Sequence, residues 1–140
     1  MKKNLMVFDR RRKSVTQEKT ELYVLKLKKM IDCKTVFSGN GENNAEFEKF
    51  YSVIEENFPL IAERAEKLVF GSGCFVYVIR GINAKKNIML MSHHDVVEGD
   101  ETWETDPFNA VIKDDAFWGR GTIDTKTPLF AQLQACEELL

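Results

Sequence analysis

Asn87-Ile88-Met89-Leu90-Met91-Ser92-His93-His94-Asp95 is an apolar run with hardly a charge in it that ends on two imidazoles and a carboxylate. Four consecutive large apolar residues bounded by polar turns suit a strand covered on both faces, as the central strand of an α/β sheet is. In an extended segment the side chains alternate. Met89, Met91, His93 and Asp95 therefore share one side, while Leu90, Ser92 and His94 share the other. Ligands in open α/β sheets sit beyond the C-terminal ends of central strands, which is where His93 and Asp95 fall.

Outward from this run, the flanking segments alternate between helical and strand patterns. Upstream, residues 16–33 carry Leu22, Leu25, Met30 and Cys33, with Val24, Leu27 and Ile31 widening the stripe, and predict a helix packed on one side. Ser38-Gly39-Asn40-Gly41 predicts a turn, and Asn43-Asn44-Ala45-Glu46 an Asx-capped helix start followed by Phe47, Phe50, Tyr51, Ile54 and Phe58. Pro59 closes or kinks that helix. Leu68-Val69-Phe70, Gly71-Ser72-Gly73 and Cys74 to Ile79 predict a strand hairpin, and Asn83 to Lys86 a polar turn into the apolar run. Downstream, Val111 to Lys113 and Ala116 to Trp118 flank Asp114-Asp115 as a second small hairpin. Thr127 and Pro128 then predict the start of a helix with Leu129, Leu133, Cys136 and Leu140 on one face. The expectation is an α/β domain in which helices pack on a mixed β-sheet in layers.

Composition narrows the function classes. The 140 residues are 44% apolar and 30% charged, with a formal net charge of −2, so no general field attracts nucleic acid or an anionic membrane. The basic cluster Arg10 to Lys13 has no interleaved aromatics and reads as a solvated terminal segment. Leu5 to Phe8 is too short for a signal peptide core, and no run approaches the roughly 18 apolar residues of a membrane span. Cys33, Cys74 and Cys136 are odd in number and lack CxxC spacing, which points to a reducing compartment and a cytoplasmic protein. A cysteine nucleophile is a poor fit, with Cys136 on an apolar helix face and Cys74 inside a strand.

The chemistry rests on three residues. His93 can bind a metal while Asp95 accepts a hydrogen bond from its other ring nitrogen, although a buried structural His–Asp pair is an equally open reading of that trio. Asp124 lies three residues after Gly119-Arg120-Gly121 and just before the last helix, where a carboxylate can project into a cleft and bridge two cations. By itself it reads more readily as an ordinary turn or cap aspartate, and the two glycines as sites of positive φ. Neither GxGxxG nor GxxxxGK is present.

Together, Leu90-Met91-Ser92-His93-His94-Asp95-Val96-Val97, Trp103, Asp106-Pro107-Phe108 and Trp118-Gly119-Arg120-Gly121-Thr122-Ile123-Asp124-Thr125-Lys126 resemble the M20 family of zinc amidohydrolases and carboxypeptidases. The resemblance is sharp from Ile88 to Leu140 and faint from the Phe47 helix onward, and it is greatest to the Gly-Xaa carboxypeptidase and dipeptidase branch. It implies that residues 1–140 are the N-terminal portion of one catalytic domain, with a smaller lid and dimerisation domain elsewhere. His93 is then a ligand to one of two zinc ions, Asp124 the bridge between them, and Asp95 the carboxylate that orients His93. The peptide after Asp124 is often cis in this family. A metal-bridging hydroxide attacks an amide carbonyl, with a general-base glutamate and the remaining ligands expected beyond Leu140. Cobalt or manganese can replace zinc, and the substrate is a small peptide or N-acyl amino acid. Two departures stand in the matched text: Glu98 where proline is common, and His94 where an apolar residue or threonine is usual. Two ligands are fewer than the three or so a catalytic zinc needs. The 140 residues alone are therefore expected to be inactive, and a non-catalytic remnant acting as a binding module is the alternative.

Overall fold

The computed structural model describes residues 15–39, 44–71, 73–82 and 85–140. The apolar run at Leu5, the basic cluster at Arg10, the cap residue Asn43 and parts of the turns at 40–41, 72 and 83–84 lie outside these described residues. Helix α1 (Gln17–Ile31) begins at Thr16, whose hydroxyl accepts the Lys19 N–H at 3.3 Å, and closes at Asp32. Its buried face is Leu27, Met30 and Ile31, with Tyr23 half-buried a turn earlier. Leu22 and Leu25, expected in the stripe, are exposed, because the 23, 27, 30/31 row already faces the neighbouring helices.

Helix α2 (Asn44–Asn57) contributes Phe47, Phe50 and Ile54, and the Asn57 amide donates to Lys26 O at 3.0 Å, locking α2 to α1. Pro59 ends α2 as expected and opens a short helix α3 (Pro59–Arg64). No cap residue precedes α3; instead Glu137 accepts the N–H groups of Leu60 and Ile61, each at 2.9 Å. Helix α4 (Thr127–Leu139) closes the core with Leu129 and Phe130, and Leu133, Cys136 and Leu140 pack beside them as their spacing predicted. Thr127 does not cap α4: the preceding residue, Lys126, is already helical, so Thr127 lies inside the helix.

Both predicted hairpins form. Strands β1 (Glu66–Phe70) and β2 (Cys74–Val78) pair antiparallel from Glu66↔Val78 to Phe70↔Cys74. Strands β3 (Val111–Lys113) and β4 (Ala116–Trp118) pair through a turn in which Asp114 and Asp115 both have positive φ, 54° and 57°, the twist a two-residue hairpin loop requires. The chain is thus α/β, but the sheets among the described residues are these two antiparallel pairs rather than a mixed sheet with helices layered on it. The apolar run does not become a covered central strand. Ile88, Met89, Leu90 and Met91 are all exposed, because no strand among the described residues pairs with them, and the segment's one ladder contact is a parallel bridge, Val36↔Val96. No helix among the described residues is long and apolar enough to cross a membrane.

Candidate metal centre

His93, Asp95 and Asp124 meet at one edge of a cleft of about 420 Å³ whose apolar wall includes Val97, Trp103 and Trp118. The His93 ring bridges the two carboxylates. Nε2 lies 2.9 Å from Asp124 Oδ1, across 31 residues of sequence. Nδ1 lies 3.1 Å from the Asp95 backbone carbonyl and 3.4 Å from Asp95 Oδ1. Asp95 therefore holds the ring chiefly through its main chain, with its carboxylate as a weaker second partner. Burial pulls the His93 pKa down, but the Asp124 hydrogen bond, together with the Asp95 carbonyl and both charges, outweighs it and leaves the pKa above the ordinary value.

The two segments are stapled locally by Thr125, whose hydroxyl donates to His93 O at 2.7 Å and accepts the His93 N–H at 3.2 Å. The Asp124–Thr125 peptide is cis, as the resemblance implied. Gly121, at φ 90°, opens the turn that carries Asp124 over Thr122–Lys126, and the Lys126 N–H closes it onto Gly121 O at 2.8 Å. Gly119 is needed for a different reason: a Cβ there would lie 2.6 Å from Ile31 Cγ2.

His94 faces away from this edge, as strand alternation requires. It is buried among Phe47, Phe50, Tyr51 and Phe75, with Nε2 3.0 Å from Gly73 O, and burial depresses its pKa. A neutral ring donating from Nε2 fits that environment, so His94 joins the β1–β2 hairpin to the core.

Sequence reasoning passed over three supports. Arg120 lies 4.8 Å over the Trp103 ring and donates to Glu98 O at 2.9 Å, fixing the far wall of the cleft. Lys126 is fully buried, its Nζ donating to Met30 O at 3.0 Å and Cys33 O at 2.7 Å. Thr35, also fully buried, donates to His94 O at 2.5 Å. An isolated lysine or threonine carries no periodic signal of burial, and only the C-terminal carbonyls of α1, which need donors, hinted at a cation nearby. Asp106-Pro107-Phe108 is structural: Asp106 accepts the Phe108 N–H at 2.8 Å, and Pro107 O accepts the Arg120 N–H at 2.7 Å.

An imidazole nitrogen and a carboxylate oxygen that already share a proton-sized gap are a donor pair for a borderline cation such as zinc. Among the described residues no group of three or more His, Cys, Asp or Glu side chains is placed to hold a metal, so the pair fits part of a site.

Comparison with known proteins bears on the same segment. The family model described as peptidase family M20/M25/M40 matches residues 89–140. The chain is 34% identical over 119 residues to the human N-fatty-acyl-amino acid synthase/hydrolase PM20D1, covering 81% of this chain and 24% of that protein. It is 31% identical over 122 residues to the Dictyostelium discoideum probable carboxypeptidase S-like 2, covering 82% and 24%. It is 38% identical over 80 residues to the succinyl-diaminopimelate desuccinylase of Anaplasma marginale (strain Florida), covering 54% and 21%. The chain spans about a quarter of the length of the first two.

Proposed function

Because the chain belongs to peptidase family M20/M25/M40, we propose that it is the N-terminal part of the catalytic domain of a zinc-dependent amide hydrolase. The observation that carries this reading is the 2.9 Å approach of His93 Nε2 to Asp124 Oδ1 at the cleft edge, with Asp95 behind the ring. In the proposal His93 and Asp124 would hold the metal, with the Asp124 carboxylate available to a second ion, and Asp95 would keep the Nδ1 proton in place so that Nε2 presents its lone pair. Zinc, or cobalt or manganese in its place, supplies a Lewis acid for an amide carbonyl and a water made acidic enough to attack it. The chain's own contribution is to orient the imidazole and to wall the cleft with Val97, Trp103 and Trp118, which exclude water from one side of a bound substrate. The further ligands, the general base and a lid domain through which two subunits pair belong to other parts of the parent protein.

The substrate class proposed is a small peptide or N-acyl amino acid, for which the relatives' names and the apolar cleft wall are the support. The exposed free thiol of Cys74 supports a cytoplasmic setting. A second reading, a binding module that keeps the fold without the reaction, is favoured by the two-ligand donor set. One experiment separates them. The protein expressed from its complete reading frame is assayed with zinc on dipeptides and N-acyl amino acids. Hydrolysis that is lost on chelation and in both His93→Ala and Asp124→Asn supports the hydrolase; zinc-independent turnover, or none in a folded preparation, refutes it.

A further inference from the structure

The turn that follows α1 touches both halves of the candidate centre. On one side Thr35 Oγ1 donates to His94 O at 2.5 Å, the Val96 N–H donates to Thr35 O at 2.9 Å, and Val36 bridges Val96, so residues 94–96 are held in register by residues 35–36. On the other side Lys126 Nζ reaches back to Met30 O and Cys33 O at 3.0 and 2.7 Å, beneath the Phe50 ring at 5.1 Å. Lys126 is two residues from Asp124, and Thr35 is two from the carbonyl that Lys126 holds. The two arms also meet directly, since a Cβ on Gly121 would contact Val96 and the Lys126 side chain. Every element of this bracket except the exposed ligands is buried: Thr35, Cys33, Met30, Phe50 and Lys126 are all 0% exposed.

We propose that Lys126 and Thr35 are positioning residues that set the separation of His93 and Asp124 through the turn after α1. The proposal rests on the metal reading for its purpose but not for its geometry. A lysine is suited to the task because one ammonium can donate at once to the Met30 carbonyl, in the last turn of α1, and to the Cys33 carbonyl just beyond it, which also accepts the Thr35 N–H at 2.9 Å, at a helix end where positive charge is favoured. Its burial would otherwise be costly, which explains why it is fixed on both acceptors rather than left free. Neither residue touches the candidate ligand atoms, and each acts through the backbone that carries them.

The test uses the whole 140-residue chain and two readouts by NMR: amide hydrogen exchange without metal, and Co2+-induced shifts with cobalt as the probe. In Lys126→Met the amides of 121–126 should exchange at least tenfold faster, while those of α2 hold their rates. In Thr35→Val the same should befall residues 94–96, with Thr35→Ser restoring them. Cobalt should shift segments 92–96 and 122–126 together in the parent chain, and at least tenfold more cobalt should be needed in either variant. Ile61→Ala, a core truncation on α3 away from the bracket, should lower global stability without this segment-specific change. If both variants leave local exchange unchanged, or change it only in proportion to Ile61→Ala, the positioning role is overturned. If exchange responds as stated but cobalt shifts neither segment in the parent chain, the bracket stands as a backbone clamp and its role in spacing a metal pair is overturned, while the hydrolase reading is decided by the assay on the complete reading frame. Should Lys126→Met fail to fold, Thr35→Val and Thr35→Ser decide the matter alone.

Discussion

Four glycine-to-alanine substitutions separate the two reasons a glycine can be required beside the candidate centre. At Gly81 an added Cβ meets nothing within 4 Å and φ is ordinary, so alanine should be neutral or stabilise by up to about 1 kcal/mol through the unfolded chain. Gly71 has φ +62° and equally open surroundings, which leaves only the left-handed penalty, about 1 kcal/mol net. At Gly119 the φ is ordinary but the new Cβ would lie 2.6 Å from Ile31 Cγ2, and Ile31 is 0% exposed and packed on all sides. Overpacking of that kind costs about 2 kcal/mol. Gly121 combines both: φ is +90°, and Cβ would lie 2.9 Å from Val96 Cγ1 and 3.2 Å from Lys126 Cδ. The sum is about 3 to 4 kcal/mol, a large part of the stability on the order of 10 kcal/mol that a domain of this size has. Urea unfolding followed by the fluorescence of Trp103 and Trp118 measures all four. The expected order of stability is Gly81→Ala, Gly71→Ala, Gly119→Ala, Gly121→Ala. Gly121→Ala no worse than Gly71→Ala, or Gly119→Ala indistinguishable from Gly81→Ala, would refute the assignment of the turn's geometry.

Glu137→Ala should lower stability by about 1 to 2 kcal/mol, because it strips the two N–H partners from the start of α3; loss of protection at Leu60 and Ile61 in hydrogen exchange checks the mechanism. Burial, with the Glu55 charge adding to it, pushes the Tyr77 hydroxyl up to about 12. The folded state thus keeps its proton after the unfolded chain has lost it near 10, so this contribution is complete below pH 10 and is lost as pH rises toward 12. Tyr77→Phe should flatten the stability profile over that window, as read by urea midpoints at pH 9, 10.5 and 11.5. The exposed row Ile88 to Met91 should drive self-association of the 140-residue chain at about 100 µM, relieved by Met89→Glu with Met91→Lys; a monodisperse monomer in sedimentation would contradict this.

What could be read in advance followed from local chemistry. Alternation alone separates His93 from His94, and the structure puts one at the cleft and the other in an aromatic box. Asp114-Asp115 between the short segments Val111-Ile112-Lys113 and Ala116-Phe117-Trp118 is enough for a hairpin, and the 129, 133, 136, 140 spacing is enough for the inner face of α4. The errors lie where a property depends on distant partners. Ile88 to Met91 have the composition of a covered strand, yet cover and pairing must come from other segments, and none among the described residues supplies them. Leu22 and Leu25 fit a helical stripe as well as Tyr23 and Leu27 do, and only the seating of α2 and α4 selects between the two rows. Lys126 shows the same limit at the site, since its burial depends on carbonyls more than 90 positions earlier in the chain.

The adjacency of His93 and His94 carries a cost for mutation by length rather than by identity. Single substitutions along 88–95 change one lane of the segment and leave the other as it was. Inserting one residue between Met91 and His93 would instead carry the first imidazole into the place of the second, among Phe47, Phe50, Tyr51 and Phe75, and deleting Ser92 would carry the second into the place of the first, against Asp124. Fold and candidate chemistry would fail in the same step, so this stretch should tolerate wide variation in composition and almost none in spacing.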